Sequence, residues 1–408
     1  MSRAAHAPAA PAPAAGRLAA LDAFRGLTVA AMLLVNNPGS WGAIYPPLAH
    51  AAWHGWTPTD LIFPFFLFIV GITTTLSLDS RRARGDAPAA LRAQVVRRAA
   101  VIFAAGLALA AFPFFTWTDL PGNPDPSFLD RVAWRLAHLR IPGVLQRIAL
   151  AYLAGALIAL AADTRRVLAT IVALLLGYWA LQTLVPVPGS GLPGQALLDH
   201  PDALLSAWLD RTLLGTDHLW SGSKTWDPEG LLSTLPAVAT QLLGVLAGRW
   251  IAQGERPLTE RIAALFAVGA LVAVAGTMWG WVFPINKGLW TSSYVLFTGG
   301  MAAMALATCL WLMDVQGWRR WAFPFLVYGT NPLLAFVGSG VMARLLGSLL
   351  TVPADGGGRQ SLQGLLHAQL FASWLPPKPA SLGYALAFVT AWFLLLWWAW
   401  RRGFVLKA

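Results

Sequence analysis

From one end to the other this chain repeats a single pattern, a nearly uniform apolar stretch followed by a short polar break. Each stretch is close to the roughly twenty residues that an α-helix needs to cross a bilayer. In hydrocarbon, where no water is available, a helix satisfies its own backbone N–H and C=O groups. The first two spans are expected at residues 21–35 and 57–78. Others follow at about 95–115, 141–161, 167–185, 231–251, 261–283, 289–313, 322–346 and 381–400. The expected fold class is therefore all-α, a polytopic integral membrane protein of about ten transmembrane helices. Composition agrees, with 57% of the 408 residues hydrophobic and 12% charged, against about a quarter charged in soluble domains.

The connections set the orientation. Alternate ones are short and basic, holding the arginines between 81 and 98 together with Arg165, Arg166, Arg249, Arg256, Arg261, Arg319, Arg320, Arg401 and Arg402. The others are long and rich in Pro, Gly and Trp, notably at 116–140, 186–230 and 347–380. The positive-inside rule then places both termini in the cytoplasm and the long connections outside. The net charge of +11 is read as this anchoring pattern and not as a nucleic-acid surface. Residues 1–16, rich in Ala and Pro, read as a disordered cytoplasmic tail, leaving 17–408 as a single transmembrane domain. Cys309 is the one cysteine and lies in an apolar run, so neither a disulfide framework nor a thiolate metal site is expected.

Polar groups set into or beside the spans are the candidates for chemistry, because each must be compensated there. Asp22 and Arg25 stand one helical turn apart at the inner end of the first span, either as a local ion pair or as a charge that steers an anionic ligand. Asn36 and Asn37 end the same span before Pro38-Gly39, where an amide either caps the helix or polarises a carbonyl. His50 and His54 follow in a connection where an imidazole titrates near neutrality. Thr57-Pro58-Thr59-Asp60 has the form of a helix start, with Asp60 reaching back as a cap. Arg140 precedes the fourth span and Arg147 lies inside it, so Arg147 must face the bundle interior and meet a carboxylate or a ligand phosphate. Asp227 and Glu229 open the sixth span, where the helix dipole favours acids and where acids also bind an amine. Asn286-Lys287 and Asn331-Pro332 are the remaining interruptions, the second predicting a break within the ninth span.

Taken in order, LDAFRGL, LLVNNPG, HAAWHGWTPTDLIFPFFLFIVG, RIPGVLQR, DPEGLL, INKGLWTSSYV and FLVYGTNPLLAFVG resemble the transmembrane acetyltransferases typified by heparan-α-glucosaminide N-acetyltransferase. The resemblance extends over about residues 17–406, and bacterial relatives of the NagX type, tied to N-acetylglucosamine use, look nearest. It implies transfer of an acetyl group from cytoplasmic acetyl-CoA to a glucosamine amine on the periplasmic side of a bacterial inner membrane, by a homodimer. It also implies His50 and Asn36 as the catalytic residues. The chain departs from the family pattern in placing His54 where the motif has Asn, and in a longer connection between Asn36 and His50, which keeps Asn37 as an alternative.

The chemistry suits these groups. A thioester is already activated, leaving the enzyme to deliver a neutral amine and stabilise an oxyanion. His50 serves as general base or accepts the acetyl group itself. Arg147, Arg140 and Arg25 are assigned to the phosphates of acetyl-CoA, and Asp227, Glu229 and Asn286 to the amino sugar; no metal is called for. The competing readings are an N-acetylglucosamine permease and an O-acyltransferase acting on an envelope glycan.

Overall fold

A computed structural model describes residues 18–354 and 358–406; the tail expected at 1–16 lies outside the described residues. The long helices are α1 (Ala19–Asn36), α2 (Ile62–Ala83), α3 (Pro88–Ala111), α5 (Val144–Ala161), α6 (Thr164–Thr183), α8 (Thr234–Ile251), α9 (Leu258–Trp279), α10 (Ser292–Leu310) and α14 (Pro377–Arg401). Short helices α4 (Phe128–Ala137), α7 (Leu205–Leu214) and α13 (Leu362–His367) lie in the long connections. A two-stranded antiparallel hairpin, Thr351–Pro353 with Arg359–Ser361, accompanies α13. Among the described residues nine helices are long and apolar enough to cross a membrane, and the protein is a multi-pass helical membrane protein.

Every expected span contains a helix, yet α8 is not one of the nine. Its position explains the difference. It packs against α2, α5, α6 and α10, and Thr240 and Gln241 in its middle are buried among them. A helix enclosed by other helices meets little lipid, so its composition need not be uniformly apolar. Contact with α2 is backbone to backbone: a Cβ on Gly71 would sit 2.0 Å from the Gln241 carbonyl oxygen, and one on Gly244 the same 2.0 Å from that of Phe68. Small residues at such crossings allow the close approach that dispersion forces reward in lipid.

The expected break at Asn331-Pro332 divides its span into α11 (Phe323–Thr330) and α12 (Pro332–Arg344). Proline cannot donate to the preceding turn, and the Asn331 side chain takes over the neighbourhood. It donates to the Phe404 carbonyl at 2.8 Å and accepts from the Leu406 amide at 2.8 Å. At the arginine-rich end of the bundle, cations cap helix C-termini. Arg82 donates to the Leu160 carbonyl and Arg249 to that of Ala162, both at 2.8 Å. The long connections gather at the opposite end, around His50.

Candidate active site

The site is built from a helix start. Thr57 and Asp60 form the expected capping box at the head of a 3-10 turn, Pro58–Leu61, that runs into α2. One carboxylate oxygen of Asp60 is filled by this work, accepting from the Thr57 amide at 2.9 Å and the Ala51 amide at 3.0 Å. The other, Oδ1, is 2.7 Å from His50 Nδ1. Asp60 is therefore both cap and histidine partner, a role that capping chemistry alone does not reveal. The Asp60 side chain is 1% exposed and that of His50 47%. With Nδ1 donating to the carboxylate, Nε2 carries the lone pair.

His50, Asp60 and Asn36 line a cavity of about 430 Å³ whose wall includes Trp53, Trp220 and Trp226. The tryptophans meet edge to face, Trp226 standing 5.2 Å from Trp53 and 5.7 Å from Trp220. The indole N–H of Trp53 is held by the Leu198 carbonyl at 2.8 Å. A second cavity of about 700 Å³ shares Asn36, Arg140 and Trp220 with the first and adds Arg135, His138, Lys224 and Arg344. A narrow third space of about 90 Å³, lined mainly by apolar side chains of α1, α2, α3, α5 and α12 together with Arg98, meets both at Met32 and Phe336.

Of the two asparagines, only Asn36 is placed at the junction of both large cavities, its side chain making no hydrogen bond among the described residues. Asn37, one residue on and facing another way, also lines the larger cavity, but it is buried and its amide is spent on the Leu33 carbonyl at 2.7 Å. His54 is likewise turned aside, between Asp199 at 3.1 Å and Asn286 at 3.2 Å. Asn286 itself is buried, and its side-chain oxygen accepts from the Leu289 amide at 2.8 Å. It lines none of these cavities and braces the turn that follows it.

The arginines differ most from expectation. Arg140 forks onto Asp227, with Nε to Oδ2 at 2.9 Å and Nη2 to Oδ1 at 2.6 Å, and also meets Glu229 at 2.6 Å. The group assigned to a phosphate and the acids assigned to an amine are thus one another's partners, in a bidentate geometry that guanidinium and carboxylate favour. Glu229 still borders the smaller cavity, whereas Asp227 does not. Arg147 is fully buried, lies 5.2 Å over the Trp290 ring and donates to the Gly230 carbonyl at 3.0 Å and to the Ser233 hydroxyl. It faces the interior as expected but holds the 227–233 segment from behind and lines none of the three cavities. Arg25 belongs to the arginine-rich end, where it pairs with Asp22 at 2.7 Å and reaches the Gly329 carbonyl at 3.0 Å.

Beside His50 stands Lys287, lining the same cavity. Burial pushes its ammonium pKa down, while the negative charges of Glu229 and Asp60 pull the other way. Behind the Asp227 segment, Asp210 is buried and accepts from the Leu231 amide at 2.9 Å. Burial raises its carboxyl to about 6; the Leu231 hydrogen bond opposes that rise and the nearby Asp227 adds to it. Lys287 and Asp60 both fall inside motifs that stand out in the sequence, so their proximity was the missing information. Arg135 and Arg344 carry no such signal.

Fold and site together define a multi-pass helical membrane protein with a histidine–aspartate pair opening on a cavity of mixed polar and apolar lining. A family model described as heparan-alpha-glucosaminide N-acetyltransferase, catalytic, matches residues 17–278. Heparan-alpha-glucosaminide N-acetyltransferase of Homo sapiens is 30% identical over 368 residues, covering 79% of this chain and 52% of the human protein. That of Mus musculus is 29% identical over 374 residues, covering 80% and 54%. The chain belongs to the heparan-alpha-glucosaminide N-acetyltransferase catalytic family. It spans about half the length of these curated relatives.

Proposed function

We propose that this protein is a membrane-embedded acetyltransferase that moves the acetyl group of acetyl-CoA to the amine of a glucosamine-type sugar. The observation that carries the reading is the His50–Asp60 pair at 2.7 Å, open to a cavity that also presents Asn36. Membership of the family supports the reaction class. Asp60 orients the imidazole, and His50 Nε2 takes the proton that the amine loses on attacking the thioester carbonyl. Asn36 donates to the oxyanion, and collapse expels the CoA thiolate, which regains the proton. In the two-step variant Nε2 accepts the acetyl group first and the amine then displaces it. The tryptophan wall offers apolar faces on which a pyranose ring packs.

The same proposal orients the chain. The arginine-rich end is cytoplasmic by the positive-inside rule, in a bacterial inner membrane, and the acceptor is met at the opposite end. The narrow space through Met32 and Phe336 supports a route for a thin pantetheine arm. Homodimeric assembly follows the family resemblance.

The test is mass spectrometry of glucosamine and a glucosamine glycoside recovered from proteoliposomes supplied with acetyl-CoA. Both sugars gain one acetyl group on nitrogen with wild-type protein, none with His50→Ala, and most of the normal amount with His54→Ala. Recovery of both sugars unmodified from wild-type vesicles, whether or not they cross the membrane, would defeat the reading.

A further inference from the structure

The ammonium of Lys287 is 3.1 Å from each ring nitrogen of His50 and 3.9 Å from Asp60 Oδ1. The turn that carries it is braced from several sides. Thr291 Oγ accepts from the Asn286 amide at 3.1 Å. Trp290, at φ +54°, is buried against Phe63 and donates to Thr240 at 3.0 Å. The histidine connection is tied to this turn directly, the Gly55 amide donating to the Ile285 carbonyl at 2.8 Å. Lys287 is thus delivered to His50 by a scaffold built from both segments.

Among the described residues its ammonium has no carboxylate to itself. Glu229 is taken by Arg140, and Asp60 Oδ2 by the Ala51 and Thr57 amides. The nearest carboxylate oxygen to Nζ, at 3.9 Å, already bonds His50. Arg140, whose guanidinium also lines this cavity, is bound to two carboxylates. The charged groups facing the imidazole are therefore Asp60 and Lys287, with the Arg140–Asp227–Glu229 cluster and buried Arg147 further off.

We infer that Lys287 is a catalytic residue of this site: its ammonium stabilises the negative charge that develops on the acetyl oxygen. The inference rests on acetyl transfer at His50. As the new bond to the carbonyl carbon forms, the C=O electron pair moves onto oxygen beside Nζ. When the C–S bond breaks, that pair returns and the thiolate leaves. Lys287 donates a hydrogen bond throughout and keeps its proton. Preorganised charge of this kind acts where charge appears in the transition state, not on the resting thioester.

The experiment is the pH profile of steady-state turnover for wild type, Lys287→Met, Lys287→Arg and His50→Ala in detergent, with melting temperature recorded for each. Lys287→Met should lose about 100-fold in kcat with little change in KM, and its alkaline limb should disappear. Lys287→Arg keeps the charge, recovers part of kcat and loses the alkaline limb that deprotonation of Lys287 produces. Lys287→Met with kcat within about threefold of wild type and both limbs in place, beside inactive His50→Ala, would overturn this inference alone. Should Lys287→Met not fold, an alkaline limb persisting in Lys287→Arg overturns it. Activity retained by His50→Ala would instead remove the reading beneath it.

Discussion

The two large cavities at the histidine end share Asn36, Arg140 and Trp220 but handle charge in opposite ways. In the smaller one, acids and bases alternate within bonding distance: Glu229 to Arg140 at 2.6 Å, Asp60 to His50 at 2.7 Å, Lys287 to His50 at 3.1 Å. In the larger one, Arg135, Lys224 and Arg344 face a single described carboxylate, Asp217. Arg135 spends its donors on the Ala110 and Ala111 carbonyls at 2.6 and 3.2 Å, and Arg344 on that of Gly340 at 3.1 Å. Carbonyls satisfy hydrogen bonds without cancelling charge, and these two guanidiniums repel one another. A cavity with matched charges suits moving protons and stabilising a transient oxyanion. One with surplus positive charge suits holding an anion.

Asp60→Asn strikes the matched cavity hardest. The amide keeps an acceptor for the Thr57 cap but no longer fixes the imidazole tautomer. Turnover should fall on the order of 10²- to 10⁴-fold, the range for loss of a positioned base or its orienting acid. Steady-state kinetics at matched melting temperature checks it; near-normal kcat would mean that the pairing seen at 2.7 Å does no catalytic work.

A smaller effect, and of another kind, is expected across the junction. Arg135→Ala combined with Arg344→Ala should raise one KM about tenfold or more and leave kcat close to normal, since a charge-assisted hydrogen bond contributes about 1.5–3 kcal/mol. Separate titrations of acetyl-CoA and of an acidic glucosamine glycoside decide which ligand carries the anion. Equal KM values for both would show that the surplus charge has no ligand and would collapse the distinction between the cavities.

The mildest test concerns the floor behind both. Asp210 titrates at about 6 in the folded protein, above its ordinary 3.8, so folding holds its proton more tightly than the unfolded chain does. Stability from this group is full below the ordinary value and is lost as pH rises through about 6. The melting temperature should therefore drop between pH 5 and pH 7 in wild type, and the drop should shrink in Asp210→Asn. An identical pH dependence in the two would show that Asp210 does not shape the segment holding Asp227 and Glu229.

How much of this was legible beforehand depends on distance along the chain. Hydropathy and helix length located the spans, because each is a local property of about twenty residues. The Thr57–Asp60 cap was legible for the same reason. The three-way cluster of Arg140, Asp227 and Glu229 was not, since its members are 87 and 89 residues apart and each taken alone fits a ligand equally well. Arg147 was correctly turned inward by the cost of an unpaired guanidinium, but that cost is indifferent to whether a ligand or the Gly230 carbonyl relieves it.

The opening histidine motif divides along the same line. Sequence alone determined an all-helical membrane chain, a capped helix start after His50 and an asparagine pair at the end of the span before it. Only the packed bundle decided that Asn36 and not Asn37 opens on both cavities with a side chain that bonds none of the described residues, that Asp60 serves His50 as well as the cap, and that Lys287, 237 residues downstream, stands beside them. Burial and periodicity are written locally, whereas the meeting of charges depends on how helices cross, and that is set by the whole core at once.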